Sequence, residues 1–443
     1  MINVGFITLG CKVNIYESNA LKNELLAKGF TIKEADEDCD VYIINTCSVT
    51  NMADAKSRKM IHKCIKMNPE AIICVMGCYA QTNPEATSIE GVDILVGNGN
   101  KKDVVAQIEK MLNEPKHEKY VNILDILETH EYEPLDVTSY DHTRAFVKIE
   151  DGCENFCTYC IIPFARGPIR CKKADDVIEE LRRVTGEGYL EVVLSGIHTG
   201  KYKDGDTNLS KLVKRILNEV PELKRLRLSS IEINEIDDDF IELMRENKVI
   251  ANHLHLPLQA GSDKILAKME RRYDKAYFLD KVNKIKNARP DVSLTTDVIV
   301  GFPYEEEEDF RETMEFCKEI GFSKLHVFPY SMRRGTKASE MPQIRGDIKK
   351  DRAKRLIELS NTLEDNYYST QINKNFDVIV EQRVTDLLMI GHTSNFLQVH
   401  LPLDESLIRK QVNITVTEYK NGKIYGKIIK WFFEKNIIFQ KNI

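Results

Sequence analysis

No stretch of the 443 residues approaches the roughly 18 consecutive apolar positions that a membrane-spanning helix requires. The opening "MINVGFITLGCKVN" lacks the basic segment and cleavage site of a secretory signal, so a cytoplasmic protein with no membrane partner is expected. Internal repeats and low-complexity tracts are also missing. With 42% hydrophobic and 30% charged residues the chain reads as ordinary globular protein, long enough for about three domains. Eleven cysteines is an odd count for a large chain, which argues against a disulfide framework and for thiolate ligands or a redox role. The chain has no overall basic excess, its net charge being −6. The charge is uneven, however: residues 113–143 carry two Lys/Arg against eight Asp/Glu, and residues 373–443 carry ten against seven. The basic end is a weak pointer to an anionic partner. The most informative absence is local. "DGCENFCTYC" places Cys153, Cys157 and Cys160 together, and no fourth cysteine follows at comparable spacing.

The pattern of apolar runs divides the chain. In residues 1–112 the runs "INVGFITLG", "DVYIINT", "AIICVMG" and "VDILVGN" alternate with amphipathic segments, which predicts a βαβ parallel-sheet domain. Residues 113–143 show neither strong period and read as an acidic linker. A second series spans residues 144–371, with strands expected at 145–150, 191–196, 225–230, 253–258, 293–301 and 324–330. Six βα units suggest a partial (β/α)6 barrel whose chemistry sits at the carboxyl ends of its strands. Residues 372–436 are β-rich, with "KNGK" as a hairpin turn, and predict a small all-β domain. The whole is an α/β chain with a β-rich end.

Cys11, Cys47 and Cys78 each close a predicted strand of the first domain. In a parallel sheet such ends share one edge, so three thiols far apart in sequence can converge. Gly10, Thr46 and Gly77 precede them and leave room for close approach. Cys39, Cys64, Cys74 and Cys317 read as buried core cysteines. For the trio at 153–160, zinc is a rival that normally wants four protein ligands, and Cys171 is the available fourth. A [4Fe–4S] cube held by three cysteines accounts for the count better, because one iron is left to bind a substrate or cofactor.

The CxxxCxxC spacing at the end of a first barrel strand, with Tyr159 before the last cysteine, resembles the radical S-adenosylmethionine (SAM) superfamily. With a second three-cysteine site upstream and a β-rich domain downstream, the chain resembles the methylthiotransferases of that superfamily over essentially its whole length. The segments "TLGCKVNIYES", "NTCSVTNMADAKSR", "DGCENFCTYCIIPFARG", "LHLPLQAGSD", "TTDVIVGFP" and "HVFPYSMRRGTKA" are similar to the branch acting on threonylcarbamoyladenosine in tRNA. The isopentenyladenosine branch usually has Gln-Met-Asn where this chain has "KVN". Two departures stand out: Tyr304 occupies a position where the family commonly has Gly, and Ile233–Asn234 one where Pro is common.

The resemblance implies that Cys153, Cys157 and Cys160 hold a SAM-cleaving [4Fe–4S] cluster, that Cys11, Cys47 and Cys78 hold a second one, and that the β-rich end is an RNA-binding TRAM domain. The implied reaction uses SAM twice, as methyl donor and as source of a deoxyadenosyl radical. That radical removes hydrogen from carbon 2 of adenine at position 37, in the anticodon loop, and a methylated sulfur from the second cluster replaces it. A radical cofactor can activate such a C–H bond, and a single-stranded loop can present it. Implied partners are the tRNA anticodon loop and a reductant such as flavodoxin or ferredoxin. Candidate SAM contacts are polar residues at barrel-strand ends: Ser195, Gly196, Ser230, Glu232, Gln259 and Asp297. His198 is a further candidate contact, and the run Lys349–Arg355 is either a solvated helix face or an RNA-facing stripe. Arg166, Arg170, Arg333 and Arg334 are candidate partners for the carboxylate of the threonylcarbamoyl arm. Alternatives are methylthiolation of isopentenyladenosine or of a ribosomal protein side chain, a non-enzymatic iron–sulfur carrier, and a zinc-dependent RNA-binding module.

Overall fold

Continuous apolar runs become the centre of the first sheet. In the computed structural model, which describes residues 1–114, 118–140 and 142–429, β3 (Val41–Thr46) and β4 (Ile72–Gly77) are buried at every position. Strands covered on both faces carry this pattern. They lie in a six-stranded parallel sheet with β1 (Asn3–Thr8), β2 (Thr31–Glu34), β5 (Ile94–Val96) and β6 (Tyr120–Asn122), in the order β2-β1-β3-β4-β5-β6. Alternate residues feed two cores. Val41, Ile43, Met76 and Ile94 face α1 (Lys12–Ala27) and a helix at Val104–Asn113. Tyr42, Ile44, Val75 and Leu95 face α2 (Asn51–Met67). Cys39, Cys64, Cys74 and Cys317 lie in cores, as expected of inert thiols.

Two strands escape the pattern reading. β2 is a four-residue, half-exposed edge, and β6 has three residues inside the acidic stretch. That stretch folds onto its neighbours: Val137 and Tyr140 are buried in the barrel core, and Leu135 accepts the Tyr16 hydroxyl at 2.8 Å. Of residues 113–143, positions 115–117 and 141 lie outside the described residues.

The six expected barrel strands all form: β7 (Arg144–Lys148), β8 (Glu191–Ser195), β9 (Arg225–Leu228), β10 (His253–His255), β11 (Ser293–Val300) and β12 (Lys324–Pro329). They build two parallel sheets, β7-β8-β9 and β10-β11-β12, and the bridges Leu226↔Ile250 and Ser230↔His255 join them. Helix α1 is buried around most of its circumference because it serves both domains. Leu21 and Leu25 pack on the first sheet, whereas Tyr16 and Ala20 enter the barrel core.

The chain divides into two compact units, one ending at Glu364 and one starting at Asp365. The second contains a closed barrel of five strands, Asn375–Arg383, Leu388–Thr393, Gln398–Pro402, Gln411–Lys420 and Lys423–Ile428. Val378, Val380, Val399, Leu401, Ile414 and Val416 fill it. The expected hairpin turn is present, with Asn421 and Gly422 at φ of 52° and 73°, the left-handed pair that a two-residue turn of this kind needs. The last part of the expected β-rich domain, residues 430–436, lies outside the described residues. Among the described residues, no helix is long and apolar enough to cross a membrane.

Candidate functional site

Strand order decides where the first trio meets. The chain turns back between β2 and β3 across β1, so the crevice beyond the carboxyl ends of β1 and β3 is a topological switch point, where such sheets receive ligands. Cys11 follows β1 as the N-cap of α1, Cys47 follows β3 directly, and Cys78 opens the short helix α3 (Cys78–Thr82) after β4. The three thiols lie within electrostatic reach of one another. Gly10 and Gly77 have φ of 100° and 97°. A Cβ on Gly10 would sit 3.0 Å from Cys47 Cβ and 3.1 Å from its Sγ, so glycine is what admits the second thiol beside the first. Gly10→Ala is therefore expected to leave the circular dichroism unchanged and to lower the iron of anaerobically reconstituted protein by about half, one cube of two. Full iron loading in that variant would show that the loop does not shape a cluster site.

The second trio follows β7. Cys153, Cys157 and Cys160 lie on the loop ahead of the helix α4 (Ile162–Arg166) and are again within mutual electrostatic reach. Around both trios the protein aims N–H groups at sulfur. Asn98 Nδ2 donates to Cys78 Sγ at 3.4 Å and Arg271 Nη1 to Cys157 Sγ at 3.4 Å, while His198 Nδ1 lies 3.5 Å from Cys153 Sγ. Burial pushes the Cys47 thiol up to about 11, with Cys78 adding to the effect, and the Cys160 thiol up to about 12. Ligation at these positions must therefore release protons. Among the described residues, no three or more His, Cys, Asp or Glu side chains gather closely enough to hold a single metal ion. Cys171 does not complete the second trio; its sulfur accepts from Lys203 N at 3.3 Å.

The two trios share a seam. Asn98 Nδ2, which contacts Cys78, also donates to Ala165 O at 2.7 Å, inside α4. Fully buried Arg166 donates to Glu17 Oε1 at 2.7 Å, to Asp151 Oδ2 at 3.1 Å and to Asn14 Oδ1 at 2.5 Å. Asn14 in turn holds the backbone of Leu9 and Thr46 at 2.7 and 3.0 Å, bracing the turns that carry Cys11 and Cys47. Lys101 and Lys148 complete the network, 2.7 and 3.5 Å from Glu17.

The candidate SAM contacts have the following surroundings. Ser195 is buried, and its hydroxyl donates to Val193 O at 3.3 Å. Gly196 leaves room for Glu150, whose carboxylate accepts from His198 N at 2.7 Å. Ser230 is exposed beyond β9, and Glu232 pairs with Arg271. Gln259 follows β10 with φ of 66°. Asp297 lies within β11, not at its end, 3.3 Å from His255 Nε2. His198 Nε2 meets Glu235 Oε1 at 2.5 Å, so this histidine is oriented by a carboxylate as well as facing Cys153. Sequence reading missed Asn98, Arg271 and Glu235, because their meaning lies in contacts across 20, 114 and 37 positions.

Three of the four candidate arginines are committed internally. Arg166 is bound as above, and Arg170 donates to Arg166 O at 2.7 Å. Arg333 holds Asp54 at 2.7 Å, Ser48 Oγ at 2.9 Å and Asn51 Oδ1 at 2.8 Å. Arg334 is exposed. In the Lys349–Arg355 run, Arg352 is buried against Glu305 at 2.8 Å and Arg355 pairs with Glu307 at 2.6 Å, which accounts for these two charges without RNA. Tyr304 has φ of 67°, a conformation that glycine adopts without strain, and the Lys268 ammonium lies 4.9 Å from its ring centre.

A parallel partial barrel with three thiols after its first strand defines the class of radical SAM enzymes. Residues 147–317 match the radical SAM superfamily, and residues 3–97 match the uncharacterized protein family UPF0004. The fold resembles a radical SAM methyltransferase, TsrM from Kitasatospora setae, at a TM-score of 0.53 and 12% identity over 74% of this chain and 73% of that one. The chain is 42% identical to the threonylcarbamoyladenosine tRNA methylthiotransferase MtaB of Bacillus subtilis, over 94% of each chain. It is 38% identical to the Aquifex aeolicus protein of the same name, over 86% of this chain and 93% of the other. It is 34% identical to a tRNA-2-methylthio-N(6)-dimethylallyladenosine synthase of Clostridium perfringens, over 96% and 97%. The chain belongs to the radical SAM methylthiotransferase family. Membership of the superfamily implies a [4Fe–4S] cluster and SAM as cofactors.

Proposed function

We propose that this enzyme transfers a methylthio group to carbon 2 of threonylcarbamoyladenosine at position 37 of tRNA. The observation that carries the reading is the pair of three-thiol sites set against one seam, with Asn98 touching both Cys78 and the α4 backbone. Cys153, Cys157 and Cys160 would hold the cluster that binds SAM, and Cys11, Cys47 and Cys78 a second [4Fe–4S] cluster. Bound there, these groups supply a deoxyadenosyl radical and a sulfur for insertion at an aromatic C–H bond. The chain's own contribution is placement. The Asn98 and Arg271 N–H groups stabilise the sulfur ligands, Arg166 and Asn14 fix the turns of the first trio relative to the second, and polar residues at the barrel-strand ends orient SAM. Orientation of this kind decides whether a reactive intermediate meets its target or a side reaction.

The preference for threonylcarbamoyladenosine draws on the 42% and 38% identical relatives. The five-stranded barrel of the second unit, in a region carrying more Lys/Arg than Asp/Glu, is assigned to RNA contact, and a flavodoxin- or ferredoxin-like protein to reduction. The test is nucleoside mass spectrometry of tRNA from a strain lacking this activity and complemented with this chain. The methylthio derivative of threonylcarbamoyladenosine is expected. Methylthiolation of isopentenyladenosine alone would overturn the substrate while leaving the chemical class in place.

A further inference from the structure

With Arg166, Arg170 and Arg333 turned to internal partners, the cation that would meet a carboxylate-bearing substrate arm is either the exposed Arg334 or a residue outside that set. Lys12 follows Cys11 at the first trio. It is exposed, and among the described residues its ammonium forms no ion pair and no hydrogen bond. It stands within electrostatic reach of Cys11, of Arg144 at the start of β7 and of Asp297 inside β11. The barrel lumen around Asp297 is polar. His253 and His255 each lie 3.0 Å from Thr295 Oγ1, the His255 and His326 rings are 5.6 Å apart, and Asp297 lies 3.3 Å from His255.

An apolar substrate arm in this space would strip water from these groups and return nothing. A polar, anionic arm would satisfy Lys12 and use the donors around it. A site built to pair with a polar group rejects the analogue that lacks it far more strongly than an apolar pocket rejects an extra methylene.

We propose that Lys12 is a specificity-determining residue of the methylthiotransferase, binding the carboxylate of the N6 arm of the target adenosine. The proposal rests on the reading that threonylcarbamoyladenosine is the substrate. It places the reacting base between the two cysteine trios with its arm directed along the lumen, so that arm recognition and sulfur delivery come from adjacent residues, Lys12 and Cys11.

The experiment compares wild-type protein with Lys12→Met, Lys12→Arg and Arg334→Ala, each reconstituted with iron and sulfide. The substrates are tRNA bearing threonylcarbamoyladenosine, the same tRNA with that carboxylate as its methyl ester, and tRNA bearing isopentenyladenosine. Lys12→Met is expected to raise KM for the acid by about 10- to 100-fold, the range of a charge-assisted hydrogen bond. It should leave KM for the ester, iron content and SAM cleavage near wild type, and Lys12→Arg should recover most of the loss. An unchanged KM for the acid overturns the proposal, as does an equal loss with acid and ester, or the ester-sensitive loss appearing in Arg334→Ala instead. Wild-type protein that modifies only isopentenyladenosine overturns the substrate reading itself, an outcome distinct from the other three.

Discussion

Cys157→Ala is expected to reduce both SAM cleavage and methylthio transfer to background, while Cys47→Ala keeps SAM cleavage and loses only the methylthio product. The asymmetry follows from position. Cys157 lies on the loop after β7, where its sulfur receives an N–H from Arg271, and its loss would remove one of the three ligands proposed for the cluster that engages SAM. Cys47 directly follows β3, at the switch point of the first sheet, and belongs to the other trio. Each variant should retain about four of roughly eight iron atoms by cube stoichiometry. Iron and sulfide analysis, with deoxyadenosine and nucleoside product measured in parallel, checks the pair. Normal sulfur transfer by Cys47→Ala would remove the first trio from the chemistry, and stoichiometric zinc in carefully reconstituted protein would dismiss both clusters.

The second large effect is on stability. Glu17→Gln is expected to destabilise the first unit by about 3–5 kcal/mol, the range for removing one partner of a buried ion pair. Glu17 is fully buried and faces three cations: Lys101 at 2.7 Å, Arg166 at 2.7 Å and Lys148 at 3.5 Å. Without it, Asp151 is the carboxylate still in ion-pair contact with Arg166 and Lys148, at 3.1 and 3.3 Å. Burial by itself would raise the Glu17 pKa, but Arg166, Lys101 and Lys148 outweigh burial and hold it well below the ordinary carboxylate range. A depressed folded-state pKa contributes stability that is fully present above the unfolded value of about 4.3 and is lost as pH falls below it. The gap in urea midpoint between wild type and Glu17→Gln should therefore be widest near neutral pH and narrow in acid. Equal midpoints at pH 7 would mean that the network adds nothing net. Because Arg166 also holds Asn14, the variant should also load less iron at the proposed site of the first trio.

What could be read without coordinates follows the range of each signal. All six barrel strands and four of the six strands of the first sheet announce themselves as apolar or alternating runs between turn residues, and the clearest of them, Val41–Thr46 and Ile72–Gly77, are covered on both faces. The short edges Thr31–Glu34 and Tyr120–Asn122 do not, because an edge with exposed positions needs no such run. Acidic composition likewise concealed that Val137 and Tyr140 are buried in the barrel core.

The cysteine pattern was legible because ligand spacing on one loop and the placement of thiols after strands are local facts: Cys153, Cys157 and Cys160 in eight residues, and Cys11, Cys47 and Cys78 each at the end of an apolar run. By itself the sequence determined the class of chemistry, the barrel and the β-rich end. It could not say which charges are available to a substrate. Arg166 and Glu17 are 149 positions apart, and Arg333 and Asn51 are 282 apart, yet each pair is in hydrogen-bond contact. Only the packing of α1 between sheet and barrel settles that Arg166 and Arg333 are internal braces and that, among the described residues, Lys12 forms no ion pair, because the stability of a buried charge depends on partners that chain topology, not local sequence, brings beside it.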